Sequence, residues 1–329
     1  MVKASCFSDS RVLITGGLGF IGSNLAIRLV ELGAKVTVID SLVPQYGGNQ
    51  ANIADIADKL TVNISDVRDS HSMQHLVQGQ DYLFNLAGQT SHMDSMHDPF
   101  TDLEINCKAQ LSILEACRHH NPDIRLVYAS TRQFYGKPQY LPVDEKHTLK
   151  PVDINGIHKL AGEWYHSLYS QVYDMNACSL RLTNTYGPRM RIKDARQTFV
   201  GIWIRLILES KAFEVWEGHQ KRDFTYVDDA VQAMLLAASH DDATGQSFNL
   251  GGLEIVSLNE LADILIQAHG SGEVVHKSYP EDRKRIDIGD YYADDKLIRS
   301  TLGWQPQIKL LEGLKLTLDY YRDRMTDYL

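Results

Sequence analysis

The chain has 329 residues, 43% hydrophobic and 23% charged, which suits a globular protein with a sizeable core and either one large domain or two moderate ones. Its net charge of −9 argues against nucleic-acid binding, which needs a basic face to neutralise phosphates, although a few local arginines suffice for a small phosphate ligand. Cys6, Cys107, Cys117 and Cys178 show no CxxC spacing, residues 1–11 are polar, and apolar stretches such as 230–238 are too short to span a bilayer, so a cytoplasmic protein with reduced thiols and no membrane contact is expected.

The apolar run Val12-Leu13-Ile14 leads into Thr15-Gly16-Gly17-Leu18-Gly19-Phe20-Ile21-Gly22 and then a helical pattern to Leu32. A glycine-rich turn between strand and helix brings backbone close to a pyrophosphate and aims the helix N-terminus at its charge. A second apolar run, Val36-Thr37-Val38-Ile39, ends in Asp40, at the offset where a carboxylate accepts bonds from an adenosine ribose. That carboxylate repels a 2′-phosphate and so favours NAD over NADP.

Further strands are predicted at 59–64, 82–87, 125–129 and 177–182, with helices at 99–119 and about 152–172. The alternation predicts an α/β fold, a Rossmann-type doubly wound parallel sheet, for residues 1–186. After Tyr186-Gly187-Pro188-Arg189 the pattern changes: a helix at 199–210, a short strand at 214–216, strands at 224–227 and 248–250 around a helix at 228–239, a helix from 257 to 268, a strand near 274–275 and two final helices. Residues 187–329 are thus expected to form mainly a smaller C-terminal α/β substrate domain, with segments around 222–250 returning to the first domain. The pair Asp228-Asp229 reads as a cap for the helix it opens, and Trp164, Tyr165, Tyr169 and Tyr173 as helix packing that includes a dimer face. His92, Asp94 and His97 have spacing too loose for a metal site, and His71 and His75, at helical i,i+4 spacing, have no apparent third ligand.

With these residues in view, the chain resembles the extended short-chain dehydrogenase/reductase family of NAD-dependent nucleotide-sugar epimerases and dehydratases over nearly its whole length. The resemblance rests on the glycine loop with Asp40, on Asp66-Val67, on Asn85-Leu86-Ala87-Gly88-Gln89-Thr90-Ser91 with Asp98-Pro99, on Asn106, on the 181–189 segment and on Arg222-Asp223-Phe224-Thr225-Tyr226-Val227-Asp228-Asp229. It implies that Gly16, Gly19, Phe20, Ile21, Gly22, Asp40, Asp66, Val67, Leu86, Ala87, Gly88, Lys159 and Leu182 hold NAD. It implies that Gln89, Thr131, Asn184, Arg222 and Arg285 meet a nucleotide-diphosphate sugar, although Arg285-Ile286-Asp287 departs from the family's Arg-Pro-Gly-Asp. It also implies a homodimer built through the 99–119 and 152–172 helices.

In this family a tyrosine four residues before a lysine exchanges a proton with the sugar while hydride moves to or from nicotinamide. Here Lys159 is present and the tyrosine position holds Asn155, whose amide has no usable pKa. Thr131 in Ser130-Thr131-Arg132-Gln133-Phe134-Tyr135-Gly136 stands at the hydroxyl position, while Gln133 and Arg132 replace the carboxylates of the 4,6-dehydratases, which disfavours their standard mechanism. His158, Tyr135 and His92 are the candidate substitutes for the phenol. The leading expectation is an NAD-dependent nucleotide-sugar epimerase or C4 oxidoreductase with an atypical proton relay. Two others stand beside it: a binding protein that has lost turnover, and an enzyme of non-redox sugar chemistry.

Overall fold

The computed structural model describes residues 6–280 and 286–329. Residues 12–15 are buried on both faces, as a strand covered by helices on either side requires. This strand, β1 (Arg11–Thr15), pairs in parallel with β2 (Lys35–Asp40), Val12 beside Val36, and with β4 (Tyr82–Asn85), Val12 beside Tyr82. The sheet is completed by β3 (Thr61–Ile64), β5 (Arg125–Thr131), β6 (Ala177–Leu182) and β10 (Ser247–Asn249). Its order is β10-β6-β5-β4-β1-β2-β3 and every pairing is parallel. The chain reverses its direction of travel across the sheet between β1 and β4, and that switch point opens a crevice at the carboxyl ends of the strands.

Helices α1 (Phe20–Glu31) and α8 (Val227–Ser239) bury their apolar faces on one side of the sheet, while α2 (Ser70–Leu76), α5 (Ala109–His120) and α6 (Ile154–Tyr173) cover the other. The helix expected at 99–119 is broken in register. It runs as α4 (Pro99–Leu103), a π turn over Glu104–Lys108, then α5, and the wide turn carries Asn106. A short helix, α3 (His92–His97), precedes it on the loop after β4. The strand expected from residue 59 begins at Thr61, because Gln50–Lys59 forms a 3-10 helix.

Beyond the main sheet, β7 (Asn184–Tyr186), β9 (Lys221–Tyr226) and β11 (Ile255–Ser257) form a three-stranded sheet, and β8 (Phe213–Trp216) pairs with β12 (Val274–Lys277). Helices α7 (Phe199–Leu208), α9 (Leu258–His269), α10 (Lys296–Leu302) and α11 (Leu310–Arg322) pack around them. The strands β7 and β11 are three residues each, too short for a periodic pattern to register. Asp229 does not cap α8. Its buried carboxylate accepts the amides of Gln307 (3.0 Å) and Ile308 (3.1 Å) and so ties the segment before α11 to the start of α8. Among the described residues no helix is long and apolar enough to cross a membrane.

Candidate functional site

The crevice at the switch point is a cleft of about 720 Å³ lined by the ends of β1, β2, β4, β5 and β6 and by the start of α1. At its floor Gly16 has a φ of +68°, a conformation costly for residues with a Cβ, and its amide donates to the Ile39 carbonyl (2.8 Å). A Cβ on Gly22 would lie 2.2 Å from the Gly16 carbonyl oxygen, so the first turn of α1 closes on the loop only because residue 22 is glycine. Gly19 precedes α1 and no side chain caps the helix, which leaves the amides of its first turn without intrahelical acceptors. Gly22→Ala is therefore expected to raise the Kd for NAD about tenfold or more and to lower stability by about 1–3 kcal/mol. Fluorescence titration and urea unfolding measure both, and unchanged values would remove this role for Gly22.

At the end of β2 the Asp40 carboxylate accepts the amides of Leu18 (3.1 Å) and Leu42 (2.9 Å), with burial pushing its pKa up and those amides opposing the rise. Asp66 is held by Arg68 at 2.7 Å, a hydrogen-bonded pairing that keeps its carboxyl below the usual range. Gly16, Gly19, Phe20, Ile21, Gly22, Asp40, Asp66, Val67, Leu86, Ala87, Gly88, Lys159 and Leu182 all line this one cleft. These residues fit a dinucleotide: an uncapped helix start over a glycine turn, a carboxylate at the end of the second strand, and an apolar wall of Val67, Leu86 and Leu182. Buried Oδ1 of Asn106 has no protein partner and lies 2.9 Å from where a Cβ on Gly88 would stand, so a larger residue there would force the Asn106 side chain to move.

At the other end of the cleft stand Thr131, Asn155 and Lys159, together with Asn184 and Arg222. Lys159 donates to the Ala129 carbonyl (2.8 Å) and sits 4.6 Å above the Tyr128 ring, and burial pulls its pKa down to about 8. Asn155 is 3% exposed and its amide donates to the Gln89 carbonyl (2.8 Å) and to Asp102 Oδ2 (3.0 Å). Asp102, fully buried on α4, also receives Asn106 (3.0 Å) on one oxygen and His158 Nδ1 (2.7 Å) on the other. Three donors on one carboxylate satisfy a buried charge that would otherwise be costly. Thus Asn155 is held as part of a fixed polar hub.

Several expected site residues lie elsewhere. Gln89 is buried off the cleft, its side-chain amide turned to the Ser91 carbonyl (3.0 Å), and it serves the hub through its backbone carbonyl. Tyr135 is fully buried: its hydroxyl donates to Asn249 (2.8 Å) and accepts from Arg181, and burial raises its pKa beyond any useful range. His158 is turned away from the cleft wall to Asp102. Asn184 faces the cleft while bridging Arg132 (3.1 Å) and the Asp223 carbonyl (2.9 Å). Arg222 lines the cleft but its guanidinium also donates to the Gly289 and Lys221 carbonyls, and burial lowers its pKa to about 10. Arg285 lies outside the described residues.

Sequence reasoning missed Asp102, Asp153 and Glu163. Asp102 stands four residues before Asn106, one helical turn, which was the available signal. Asp153 caps α6 through the Gly156 amide (2.7 Å), the role its place just before the helical pattern suggests. Glu163 had no such mark.

A doubly wound parallel sheet whose switch-point cleft carries this loop, carboxylate and lysine defines an NAD-binding α/β protein. Residues 12–251 match the NAD dependent epimerase/dehydratase family, and the chain belongs to it. It is 32% identical to a putative UDP-glucose 4-epimerase of Methanocaldococcus jannaschii over 95% of this chain and 98% of the relative. Among solved structures, the UDP-glucose 4-epimerase of Thermotoga maritima with UDP-glucose superposes with a TM-score of 0.88 at 29% identity, covering 96% of this chain and 99% of that one. The UDP-glucose 4-epimerase of Thermus thermophilus in complex with NAD does so at 0.84 and 28%, covering 95% and 99%. The protein is a nucleotide-sugar epimerase/dehydratase-type enzyme that uses NAD.

Proposed function

We propose that the chain is an NAD-dependent epimerase or C4 oxidoreductase of nucleotide-diphosphate sugars whose proton relay does not use a tyrosine. The observation that carries this is the meeting of Thr131, Lys159 and Asn155 in the same cleft as the glycine loop and Asp40. When bound, NAD supplies the hydride acceptor and donor for a sugar carbinol. Thr131 presents a hydroxyl to the sugar's reacting oxygen, Lys159 supplies a positive charge to the cofactor ribose, and Asp40 accepts from the adenosine ribose. Neither Arg132 nor Gln133 offers a carboxylate for removing water, since Gln133 donates its amide to Asp153 (3.0 Å) and Arg132 lies 4.8 Å over the Tyr291 ring. That disfavours the standard 4,6-dehydratase route.

Incubation of the NAD-loaded protein with UDP-, GDP-, dTDP- and CDP-sugars, following reduced nicotinamide and product, tests the reading. Turnover of one class that survives Asn155→Ala supports it. No reduction, exchange or product with any sugar favours instead a protein that binds without turnover, the reading that the fixed amide of Asn155 supports.

A homodimer is proposed through α6 and α4. Ile157, Trp164, Leu168 and Val172 form an exposed apolar stripe on α6, with Phe100 and Leu103 exposed on α4. Trp164→Glu, at a residue 58% exposed and so tolerant of charge in a monomer, is expected to halve the mass measured by light scattering while leaving the fold intact. A parent that already has the mass of one chain would overturn the dimer.

A further inference from the structure

We infer that His92, oriented by the buried carboxylate of Asp153, is the group that exchanges the proton in place of the missing phenol; this rests on the redox reading above. His92 opens α3 and lines the cleft, with its side chain 39% exposed. Its buried Nδ1 stands 2.9 Å from Asp153 Oδ2, an ion-pair contact that is not aligned as a hydrogen bond, and its Nε2 makes no hydrogen bond among the described residues. A carboxylate beside one ring nitrogen favours the tautomer protonated on that nitrogen and leaves the other nitrogen to exchange protons.

The placement is built from both sides. Asp153 is fully buried, so its position is set by the fold: one oxygen caps α6 at the Gly156 amide and the other meets His92 and Gln133. Gln133 in turn donates its backbone amide to the Thr131 hydroxyl oxygen (3.1 Å), which joins the pair to the residue expected on the sugar oxygen. From the other side, Ser95 donates to the His92 carbonyl (2.7 Å) and accepts the amide of Asn155 (3.2 Å), so the start of α3 is clipped to the residue at the vacated position. Burial alone would raise the Asp153 pKa, but the contacts with His92 and Gly156 win and hold it below the ordinary carboxylate value. The other charged groups brought to this part of the cleft are Lys159 from α6, Arg132 after β5, and Arg196, which stands 3.6 Å from Asp94 on α3 itself. His97 on the same helix is turned to the Met93 carbonyl (2.8 Å).

In the oxidative half, the sugar hydroxyl proton passes to Nε2 of His92 while the hydride leaves the same carbon for NAD. The carbinol becomes a ketone, NAD is reduced and the imidazole becomes an imidazolium paired with Asp153. The reverse half returns the proton and the hydride. An imidazole works as a base only when neutral, so the rate is expected to fall as the pH is lowered.

Two readouts test this on the NAD-loaded protein. In proton–nitrogen spectra of histidine-labelled protein, with His92 assigned by its loss in His92→Asn, the ring signals are expected to shift on addition of at least one of UDP-glucose, GDP-mannose, dTDP-glucose or CDP-glucose. In turnover with whichever sugar reacts, His92→Asn is expected to lower kcat by about 10²-fold or more with KM changed only a few-fold, to lose the acid limb of the pH profile, and to be partly rescued by added imidazole. His92 signals unmoved by all four sugars would overturn the proposal. So would a His92→Asn variant that keeps most of its kcat and its acid limb, or an acid limb that vanishes only in Lys159→Met. If the parent turns over none of the sugars, the redox reading fails, and the spectra alone decide whether His92 meets the sugar.

Discussion

Lys159→Met is expected to lower turnover by about 10²–10⁴-fold while leaving the fold as stable as the parent or more so. Methionine keeps most of the aliphatic stem that packs under the cleft and removes only the ammonium, so the experiment isolates the charge. Lys159 is 7% exposed, and burial favours its neutral amine and lowers its pKa to about 8, against the Ala129 carbonyl, the Tyr128 ring and the attraction of Asp102 and Glu163, which favour the ammonium. The sign of the stability effect follows from this. Below about 8 the folded chain carries a charge it holds less well than the unfolded chain does, a cost fully present at neutral pH that disappears as pH rises through the ordinary lysine value of 10.5. Removing the amine relieves that cost, less the lost hydrogen bond to Ala129, so apo stability at pH 7 rises by no more than about 3 kcal/mol. Activity is expected to move the other way, because in the proposed reaction Lys159 supplies the positive charge beside the cofactor ribose. If the cation is required, kcat also declines as pH rises through about 8. Steady-state kinetics from pH 6 to 10 and urea unfolding of both proteins measure the pair of effects. A Lys159→Met protein with parental kcat would show that the lysine is structural.

The loop, the acidic end of β2 and the Asn155 and Lys159 pair were legible because each is a local signal, set within one turn or one βα unit, where spacing along the chain equals proximity in space. The strands at 11–15, 35–40 and 177–182 were legible for the same reason: continuous apolar runs leave a buried strand little freedom. The hub around Asp102 was not. It gathers Gln89, Asp102, Asn106, Asn155 and His158 from a loop, two helices and a π turn, and nothing in the neighbourhood of Asn155 announces that its amide will meet a carboxylate 53 positions away. The three candidate bases show the same limit. In the sequence Tyr135 and His158 looked as well placed as His92, being nearer to Thr131 and Lys159. Folding sends the first into a buried bond with Asn249 and the second to Asp102, while His92, more than 60 positions before Asn155, comes to the cleft wall because Ser95 and Asp153 hold α3 against the head of α6.

The remaining large effect lies at Glu163, which no motif marks. Glu163→Ala is expected to destabilise the protein by about 3–5 kcal/mol, the cost of leaving one partner of a buried ion pair behind. Glu163 is 1% exposed and accepts from Arg181 Nη2 at 2.6 Å, from Arg181 Nε at 3.1 Å and from the Ser130 hydroxyl at 2.5 Å. Arg181, itself 6% exposed, would keep Tyr135, the Glu145 carbonyl (3.4 Å) and a longer-range attraction to the Glu145 carboxylate, but no carboxylate bonded to its guanidinium. Burial by itself lowers the arginine's pKa, and attraction to Glu163 more than reverses this; an arginine whose partner is removed still keeps its proton at any workable pH. The double variant Glu163→Met with Arg181→Met removes both charges and is expected to recover most of the loss, which separates a broken pair from a packing defect. Denaturant midpoints of the three proteins provide the measurement, and a loss below about 1 kcal/mol in Glu163→Ala would mean that solvent reaches the pair. The consequence extends to the cleft. Glu163 follows Lys159 by one turn of α6, and its other partner, Ser130, precedes Thr131 on β5, so a single buried carboxylate holds the helix bearing the lysine against the strand bearing the hydroxyl. In folded Glu163→Ala protein the two groups lose that common anchor. A fall in kcat larger than the fraction unfolded accounts for would show that their spacing, as well as the stability of the fold, depends on it.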